Sequence, residues 1–485
     1  MNYSSTFLRN IIFAILLSFL FTHCASVPST ETDKELGAEA SIQVKEQMGI
    51  IKEKQTTNYL ESIGDRLVSN LDTNLFEYQF NILDMEVPNA MALPGGYIYF
   101  SRGILLLANS EDELAGIMGH EIIHAHNRHS VKAMNKSIFS RILSIPGSVV
   151  QVVVSPELGR LINSPFKSID QLFQSKYSRD NESEADRVGA ELAAKSGYDP
   201  AALATILNNL SKYQTLETGE DEKFNFFDSH PLTPERVEDI NKYSKILKID
   251  KTVKPFAADK NEFLKQLDGI LIGSNPANGF FNKNHFIHPD LEFAITFPET
   301  WKTLNIPIAA VAYEPKGEAQ ILLSLSEPGS SPEEQAKLFL EKYKESGTVE
   351  PRFNEPLMIN GQNAYIITFQ ESSSRQTTVV NLIWIDIGEN TLSIITAGYQ
   401  QHNEKLLKSA MSLQKISDND IKDLQITVLR LEEGVEGETL KEFSSRTNNV
   451  LTIEALALIN DIKESEVLKK GQLLKIGKRE KYKKN

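Results

Sequence analysis

Cysteine and positive charge are both scarce in this 485-residue chain. Cys24 is the only cysteine, so no disulfide can form within one chain. The 51 Lys and Arg residues are outnumbered by 65 Asp and Glu residues, which gives a formal net charge of −14 and a pI of about 5.3. This balance argues against nucleic-acid binding, because phosphate backbones are bound by basic surfaces. We therefore expect no nucleic-acid partner.

Long apolar runs are also few, and after residue 24 none is long enough to cross a membrane. The first 24 residues differ from the rest. Arg9 precedes an apolar run over residues 11–21, and Cys24 follows it, which is the layout of a lipoprotein signal peptide. The residues just before Cys24 are not the small ones usual at such a site, so a cleaved soluble form and an uncleaved anchor remain open. We expect lipidation at Cys24, then a tether over residues 25–34.

Histidine is rare too, with nine in the chain, yet two stand four residues apart in the stretch GHEIIHAHNRHS. At this composition a His-Glu-x-x-His pattern arises by chance in about one such sequence in a hundred. Ser110 and Glu113 predict a helix start, and apolar residues recur after them at helical spacing. The helix would place His120 and His124 on one face with Glu121 beside them. Two ordinary core histidines are the alternative interpretation.

A catalytic zinc site needs a third protein ligand from another element. The stretch YSRDNESEADRVGAELAAKSGYDP also predicts a helix, in which Glu182 and Asp186 lie four residues apart on one face. One carboxylate there can bind a metal while the other accepts a hydrogen bond from a ligand imidazole. A solvated acidic helix face would give the same pattern.

These two stretches, with NAMALPGGYIYFSRGIL before them and SHPLTPERVEDI after them, resemble one zinc metallopeptidase family. It is the family of the CAAX prenyl endopeptidase, HtpX, OMA-type and BepA-type periplasmic proteases, and the resemblance covers residues 35–250. It implies a mainly α-helical, gluzincin-type domain with a small sheet and one zinc ion per chain. The residues that it implies are the ligands His120, His124 and Glu182, the general base Glu121, and Asp186 and Arg179 behind the ligands. Its Ser-Arg-x-x-Glu-x-x-Ala-Asp pattern selects Glu182 over Glu184.

The resemblance also implies a reaction. Zinc lowers the pKa of its water towards neutrality, and Glu121 takes the proton and later delivers it to the leaving amine. The oxyanion of the transition state needs a further donor, for which His230 and Arg236 are candidates. In BepA-like relatives the corresponding His can approach the zinc, so His230 has a second candidate role as a regulatory fourth ligand. A plain loop residue before Pro231 is the remaining interpretation.

The segment ALPGGYIYFS predicts a turn followed by a strand. In the resembling peptidases this strand borders the active-site cleft. An edge strand offers unpaired backbone groups to which an extended peptide can add. We therefore expect Gly96, Tyr97, Ile98 and Tyr99 to bind substrate. An ordinary core strand is the alternative.

The rest of the chain predicts two further domains, in keeping with its length and its globular composition. Residues 251–280 read as a linker. Alternating strands and two helices over residues 281–416 predict an α+β domain with a largely antiparallel sheet, and its FPETW stretch resembles the entry strand of PsbP-like domains. Residues 424–478 resemble a small βααβ LysM module, which binds N-acetylglucosamine polymers; a plain packing module is the alternative. Residues 479–485 form a basic tail.

Together these features predict an exported, lipid-anchored zinc metalloendopeptidase of the cell envelope, facing the periplasm at the outer membrane. Its expected substrates are extended or unfolded chains of misfolded or unassembled envelope proteins. Peptidoglycan is a candidate partner of residues 426–477. Two alternatives stay open. One is a latched or inactive scaffold held at the cell wall, and the other is a zinc hydrolase of wall peptides.

Overall fold

The structure is a computed structural model that describes residues 29–134, 177–216, 226–326, 329–344, 349–372, 376–418 and 420–484. The predicted signal peptide and Cys24 lie outside the described residues. No helix in these ranges is long and apolar enough to cross a membrane. The described α-helices are Thr30–Met48, Lys54–Val68, Arg102–Leu107, Glu111–His126, His129–Met134, Arg179–Lys195, Ala202–Leu216, Phe226–Ser229, Pro234–Ser244, Lys260–Lys265, Pro332–Lys344, Asn403–Ala410, Leu440–Thr447 and Ile453–Asn460.

The described strands form four sheets, and the predicted order of a helical region followed by an antiparallel-sheet region is confirmed in this coarse form. The last region has the element order strand, helix, helix, strand. In spatial order the first sheet contains Gln79–Leu83, Tyr97–Ser101 and Ala90–Leu93. The second contains Phe353–Ile359, Gln362–Ser372, Thr377–Asp386, Thr391–Tyr399, Ala319–Leu325, Ala309–Tyr313 and Lys302–Ile306. The third contains Gln414–Lys415, Phe293–Thr296, His285–His288 and Phe280–Asn282. The fourth contains Leu473–Lys481, Gln425–Glu433 and Leu271–Ile272.

Two helices form the centre of the first region, and we call them the metal helix (Glu111–His126) and the carboxylate helix (Arg179–Lys195). The metal helix begins as predicted, because the Ser110 hydroxyl accepts a hydrogen bond from the Glu113 N–H at 3.1 Å. The two helices cross at a pair of glycines. A Cβ atom on Gly119 would lie 3.0 Å from the Gly189 carbonyl oxygen, so the backbones approach more closely than larger residues allow. This close crossing brings the carboxylates of one helix to the imidazoles of the other.

The residues predicted as a tether and as a linker are instead built into the fold. The helix Thr30–Met48 begins inside the predicted tether (25–34), and Asp33 is buried where it pairs with Arg128, so that prediction is wrong from residue 30 onwards. The predicted linker contains Phe263, Leu264 and Leu267, which lie in the same hydrophobic core as the metal helix. Burial of apolar side chains is favourable, and burial of those in the two segments attaches both segments to the first region.

The C-terminal module is attached to the first region rather than tethered to it. Its strand Gln425–Glu433 pairs with Leu271–Ile272 of the predicted linker, and its residues Leu429, Leu458 and Ile459 share the core of the metal helix. Its last strand continues to Lys481, which pairs with Gln425. The predicted basic tail (479–485) is therefore wrong for residues 479–481, because the ladder with Gln425–Thr427 holds them as a strand.

Candidate metal centre

Four buried side chains converge at the crossing of the two helices. His120 and His124 come from successive turns of the metal helix, Glu182 from the first turn and a half of the carboxylate helix, and His230 from the segment before the helix Pro234–Ser244. One potential ligand atom from each lies within 4.8 Å of the others. The helical spacing of four residues explains why the two histidines share one face.

The donor atoms fit a tetrahedral metal ion. The Nε2 atoms of His120 and His124 are 3.0 Å apart, and Glu182 Oε1 is 3.3 Å from His124 Nε2. His230 Nδ1 is 3.1 Å from Glu182 Oε1 and 3.3 Å from His120 Nε2. Ligand atoms around a tetrahedral zinc ion stand about 3.3 Å apart, given zinc–ligand bonds of about 2.0–2.1 Å. The residues present therefore suit a zinc ion held by two to three imidazoles and one carboxylate.

Glu121 lies beside this cluster with its carboxylate unpaired. Both of its side-chain oxygens are buried and accept no hydrogen bond from any described residue. The Nε2 atom of His230 lies 3.5 Å from Glu121 Oε1. Burial raises the pKa of the Glu121 carboxyl above its usual range, although His230 and His120 favour its charged form. A buried acid without a hydrogen-bond partner is uncommon in a folded protein, which makes Glu121 a candidate functional group.

Two further side chains stand behind the ligands. Asp186 Oδ1 lies 3.0 Å from His120 Nδ1, on the side of the ring away from the cluster. Arg236 donates to both oxygens of Asp186 at 2.8 Å, and its Nη1 lies 2.6 Å from Glu182 Oε2. Burial would raise the pKa of Asp186, but Arg236 and His120 hold it below its usual range. Burial acts likewise on Glu182, and His230, His124 and His120 hold its pKa well below its usual range.

The predicted residues separate into three groups by position. His120, His124, Glu182 and His230 form the cluster, and Glu121, Asp186 and Arg236 touch it. Arg236 contacts the two carboxylates and donates to the Pro231 carbonyl oxygen at 3.0 Å, and its role as an oxyanion donor stays a prediction. Arg179 is exposed at the start of the carboxylate helix, and no described contact joins it to the cluster.

The predicted substrate strand does not lie at an edge. Tyr97, Ile98 and Tyr99 belong to the central strand of the first sheet, paired on one side with Gln79–Leu83 and on the other with Ala90–Leu93. Gly96 precedes this strand in a buried turn. The prediction of unpaired backbone is wrong for Tyr97, Ile98 and Tyr99, because neighbouring strands already use both of their edges, and substrate binding by Gly96 stays a prediction.

Sequence reasoning missed three aromatic or imidazole rings that surround the cluster. The Tyr177 ring centroid lies 3.9 Å from that of His124, and Phe226 stacks on His230 at 4.4 Å with the planes 8° apart. His129 lies with its Nδ1 atom 3.1 Å from His124 Nδ1. His129 carried a signal, since it stands in the same histidine-rich stretch, but the two aromatic residues carried none in their local patterns.

The comparisons with known proteins agree with this geometry. A family described as "Peptidase family M48" matches residues 54–244. The Beta-barrel assembly-enhancing protease of Escherichia coli (strain K12) is 27% identical over 221 residues, covering 45% of this chain and 45% of that protein. The Mitochondrial metalloendopeptidase OMA1 of Schizosaccharomyces pombe is 25% identical over 238 residues, covering 46% of this chain and 68% of that protein. This chain thus spans less than half the length of the first of these relatives.

Among solved structures, the solution structure of cyanobacterial PsbP from Synechocystis sp. PCC 6803 covers 30% of this chain and 98% of that chain. Its TM-score is 0.23 and its sequence identity is 9%. Values this low leave the PsbP-like nature of residues 281–416 a prediction.

Proposed function

We propose that this chain, whose residues 54–244 belong to peptidase family M48, is a zinc-dependent metalloendopeptidase of extended protein chains. The observation that carries the proposal is the buried cluster of His120, His124, Glu182 and His230 beside an unpaired Glu121. Three ligands, a fourth position and an adjacent base are the parts that a zinc peptidase needs.

Each side chain then has a distinct task. When bound, zinc supplies Lewis-acid chemistry, which lowers the pKa of a coordinated water and polarises a peptide carbonyl. Glu121 accepts the proton of the attacking water on its unpaired carboxylate and passes it to the leaving amide nitrogen. Asp186 Oδ1, 3.0 Å from His120 Nδ1, favours the tautomer with the proton on Nδ1, which leaves the Nε2 lone pair of His120 free for the metal. Arg236 holds the carboxylates of Asp186 and Glu182 in fixed positions through its planar guanidinium group.

We assign His230 the role of a fourth donor that closes the site at rest. Its Nδ1 lies 3.1 Å from Glu182 Oε1 and 3.3 Å from His120 Nε2, and His124 Nε2 lies 3.3 and 3.0 Å from the same two atoms. A closed site with four protein ligands has no position for a water, so His230 must move away before hydrolysis begins. The stacked Phe226 ring supports His230 in the closed arrangement.

The substrates and the cellular setting extend the proposal. The name of the Escherichia coli relative places it in the assembly of β-barrel proteins, and we propose envelope proteins in an unfolded or unassembled state as substrates. Lipidation at Cys24 and contact of residues 426–477 with peptidoglycan would hold the chain at the outer membrane and the wall. The packing of the C-terminal module against the first region supports a fixed spacing between wall and active site.

The test measures zinc content and casein cleavage of the purified chain and three variants. We expect about one zinc per chain, and Glu121→Gln should keep it while cleavage falls about 100- to 10,000-fold, the usual contribution of a general base. Glu61→Gln, an exposed change in the same domain, is the matched control and should match the wild type. His230→Ala should keep zinc and cleave faster. Cleavage that persists in Glu121→Gln would contradict the peptidase assignment.

A further inference from the structure

A chain of hydrogen-bonding groups leads from the ligand His124 to the surface. His124 Nδ1 lies 3.1 Å from His129 Nδ1, and His129 Nε2 lies 3.1 Å from Glu184 Oε2. The other oxygen of Glu184 accepts a hydrogen bond from the Asn127 side chain at 3.0 Å. His129 is 1% exposed, so its ring is held by protein contacts on all sides.

The protons along this chain have only one assignment that allows metal binding. His124 faces the other donors through Nε2, which must carry a lone pair, so a neutral His124 bears its proton on Nδ1. That N–H then donates to His129 Nδ1, which must be the unprotonated nitrogen of its ring. The His129 proton therefore sits on Nε2 and donates to the Glu184 carboxylate. Each of the three contacts receives one donor and one acceptor.

The two helix histidines are thus supported in different ways. His120 is fixed directly by Asp186, which Arg236 grips in turn, and all of these groups are buried. His124 is fixed by another imidazole, and the carboxylate at the end of its chain is half exposed. The turn between His124 and His129 contains Arg128, which adopts φ 58° and whose guanidinium donates to the buried Asp33.

We propose that His129 is a positioning residue that fixes His124 as an Nε2 donor to the metal, with Glu184 and Asn127 setting the ring of His129. The inference rests on the proposed zinc site. It gives a role to Glu184, which lies two residues from the ligand Glu182 but outside the cluster. It also predicts that the two imidazole ligands differ in how strongly an outer partner supports them.

The test compares two changes at His129 that keep or remove the acceptor. The Asn side-chain oxygen can take the place of His129 Nδ1, whereas Leu offers no acceptor. We expect His129→Leu to weaken zinc binding about 10- to 100-fold in competition with a chelator, as loss of an outer partner commonly does. His129→Asn should recover most of this loss, and Glu184→Gln should lose less than His129→Leu. His126→Gln, a change of a half-buried histidine on the same helix, should match the wild type.

A second measurement distinguishes a positioning role of His129 from a role in fold stability alone. The difference in melting temperature between zinc-loaded and metal-free protein should shrink in His129→Leu and return in His129→Asn. A structural role alone would lower both temperatures equally and leave their difference unchanged, which would overturn the inference. If His129→Leu does not fold, the same comparison between Glu184→Gln and wild type decides. Failure of the zinc site itself would appear differently, as a wild-type chain that binds no zinc.

Discussion

The metal helix buries one carboxylate near each end, and the two carboxylates differ in their hydrogen bonding. At its first residue, the Glu111 carboxylate accepts hydrogen bonds from two tyrosine hydroxyls at 2.6 and 2.9 Å and from two backbone N–H groups at 2.8 and 2.6 Å. Three turns later, the Glu121 carboxylate accepts none from the described residues. Both carboxylates are buried on one helix, so burial alone does not distinguish them. The difference in pairing separates an acid that holds the structure together from one that is available for chemistry.

The same contrast extends to the groups around each end. Near the first end, the Lys475 ammonium from the C-terminal module donates to the carbonyl oxygens of Leu106 and Ala108 at 2.6 and 2.8 Å. The side chain of Asn109 donates to the Ile459 carbonyl oxygen across the same junction. At the other end, lone pairs from four side chains point at one another. Buried donors find carbonyl acceptors where the module joins, whereas the facing ligand atoms of the cluster suit a bound cation.

Removing one metal ligand, near the C-terminal end of the metal helix, should produce the largest effect. We expect His124→Ala to weaken zinc binding strongly and to lower casein cleavage by at least about a thousandfold, because only His120 and Glu182 remain as ligands once His230 moves away for hydrolysis. His126→Ala, two residues away on the same helix, should keep both properties within about twofold. Cleavage at the wild-type rate by His124→Ala would break the contrast between the two ends.

Removing Lys475 should have a structural effect at the first end. Lys475→Ala leaves two buried carbonyl oxygens without their donor and opens a cavity, so we expect the free energy of unfolding to fall by about 2–4 kcal/mol in urea. Lys475→Met, which fills the space and removes a buried charge, should lose less. Zinc content should stay unchanged in both. Lys481→Ala, an exposed change in the same strand, is the control; a loss of zinc in Lys475→Ala but not in this control would show that the two ends are not separate.

Exchanging the guanidinium group of Arg236 should have a smaller effect on the metal. Arg236→Lys keeps the charge but cannot bind both oxygens of Asp186 while also reaching Glu182. We expect the affinity for zinc to fall about 10- to 100-fold, and the control Lys242→Arg, exposed on the same helix, to change nothing. An unchanged affinity, measured with a chelator, would mean that Arg236 does not orient the ligands.

The smallest expected effect is a pH dependence at the first end. Burial raises the pKa of Glu113 to about 7, with Lys475, Asp461 and Lys260 as the charges that face it. The folded state therefore binds more protons than the unfolded state between about pH 4.5 and 7, so Glu113 makes the fold less stable as the pH rises through that window. Burial also lowers the pKa of Lys475 to about 7, which acts in the opposite direction only above that pH.

The measurement is urea unfolding of wild type and Glu113→Gln at pH 5 and pH 7. The wild type should lose about 1–2 kcal/mol of unfolding free energy relative to the variant between these values. Glu262→Gln, exposed in a neighbouring helix, serves as the control. Parallel pH curves for wild type and Glu113→Gln would contradict the assignment of Glu113.

Local patterns predicted the metal end well and the junction poorly. The spacing of His120 and His124 and the Ser110 cap are properties of a single helix, so the sequence alone carries them. The prediction of an edge strand around Tyr97 was wrong because the pairing of this strand cannot be read from its local sequence. One partner, Gln79–Leu83, is parallel, so no tight turn connects the two strands. The linker prediction was wrong for the same reason, because Leu271–Ile272 forms a strand by pairing with the distant Gln425–Glu433. Gly119 and Gly189 likewise become informative only once the helices cross.

The most direct test of the contrast is the zinc content of three purified proteins. Wild type, Glu182→Ala and Lys475→Ala would be equilibrated with the same buffered zinc concentration and measured by elemental analysis. We expect about one zinc per chain in wild type and Lys475→Ala, and a large loss in Glu182→Ala. Zinc bound by Glu182→Ala as tightly as by wild type, or absent from the wild type, would contradict this expectation.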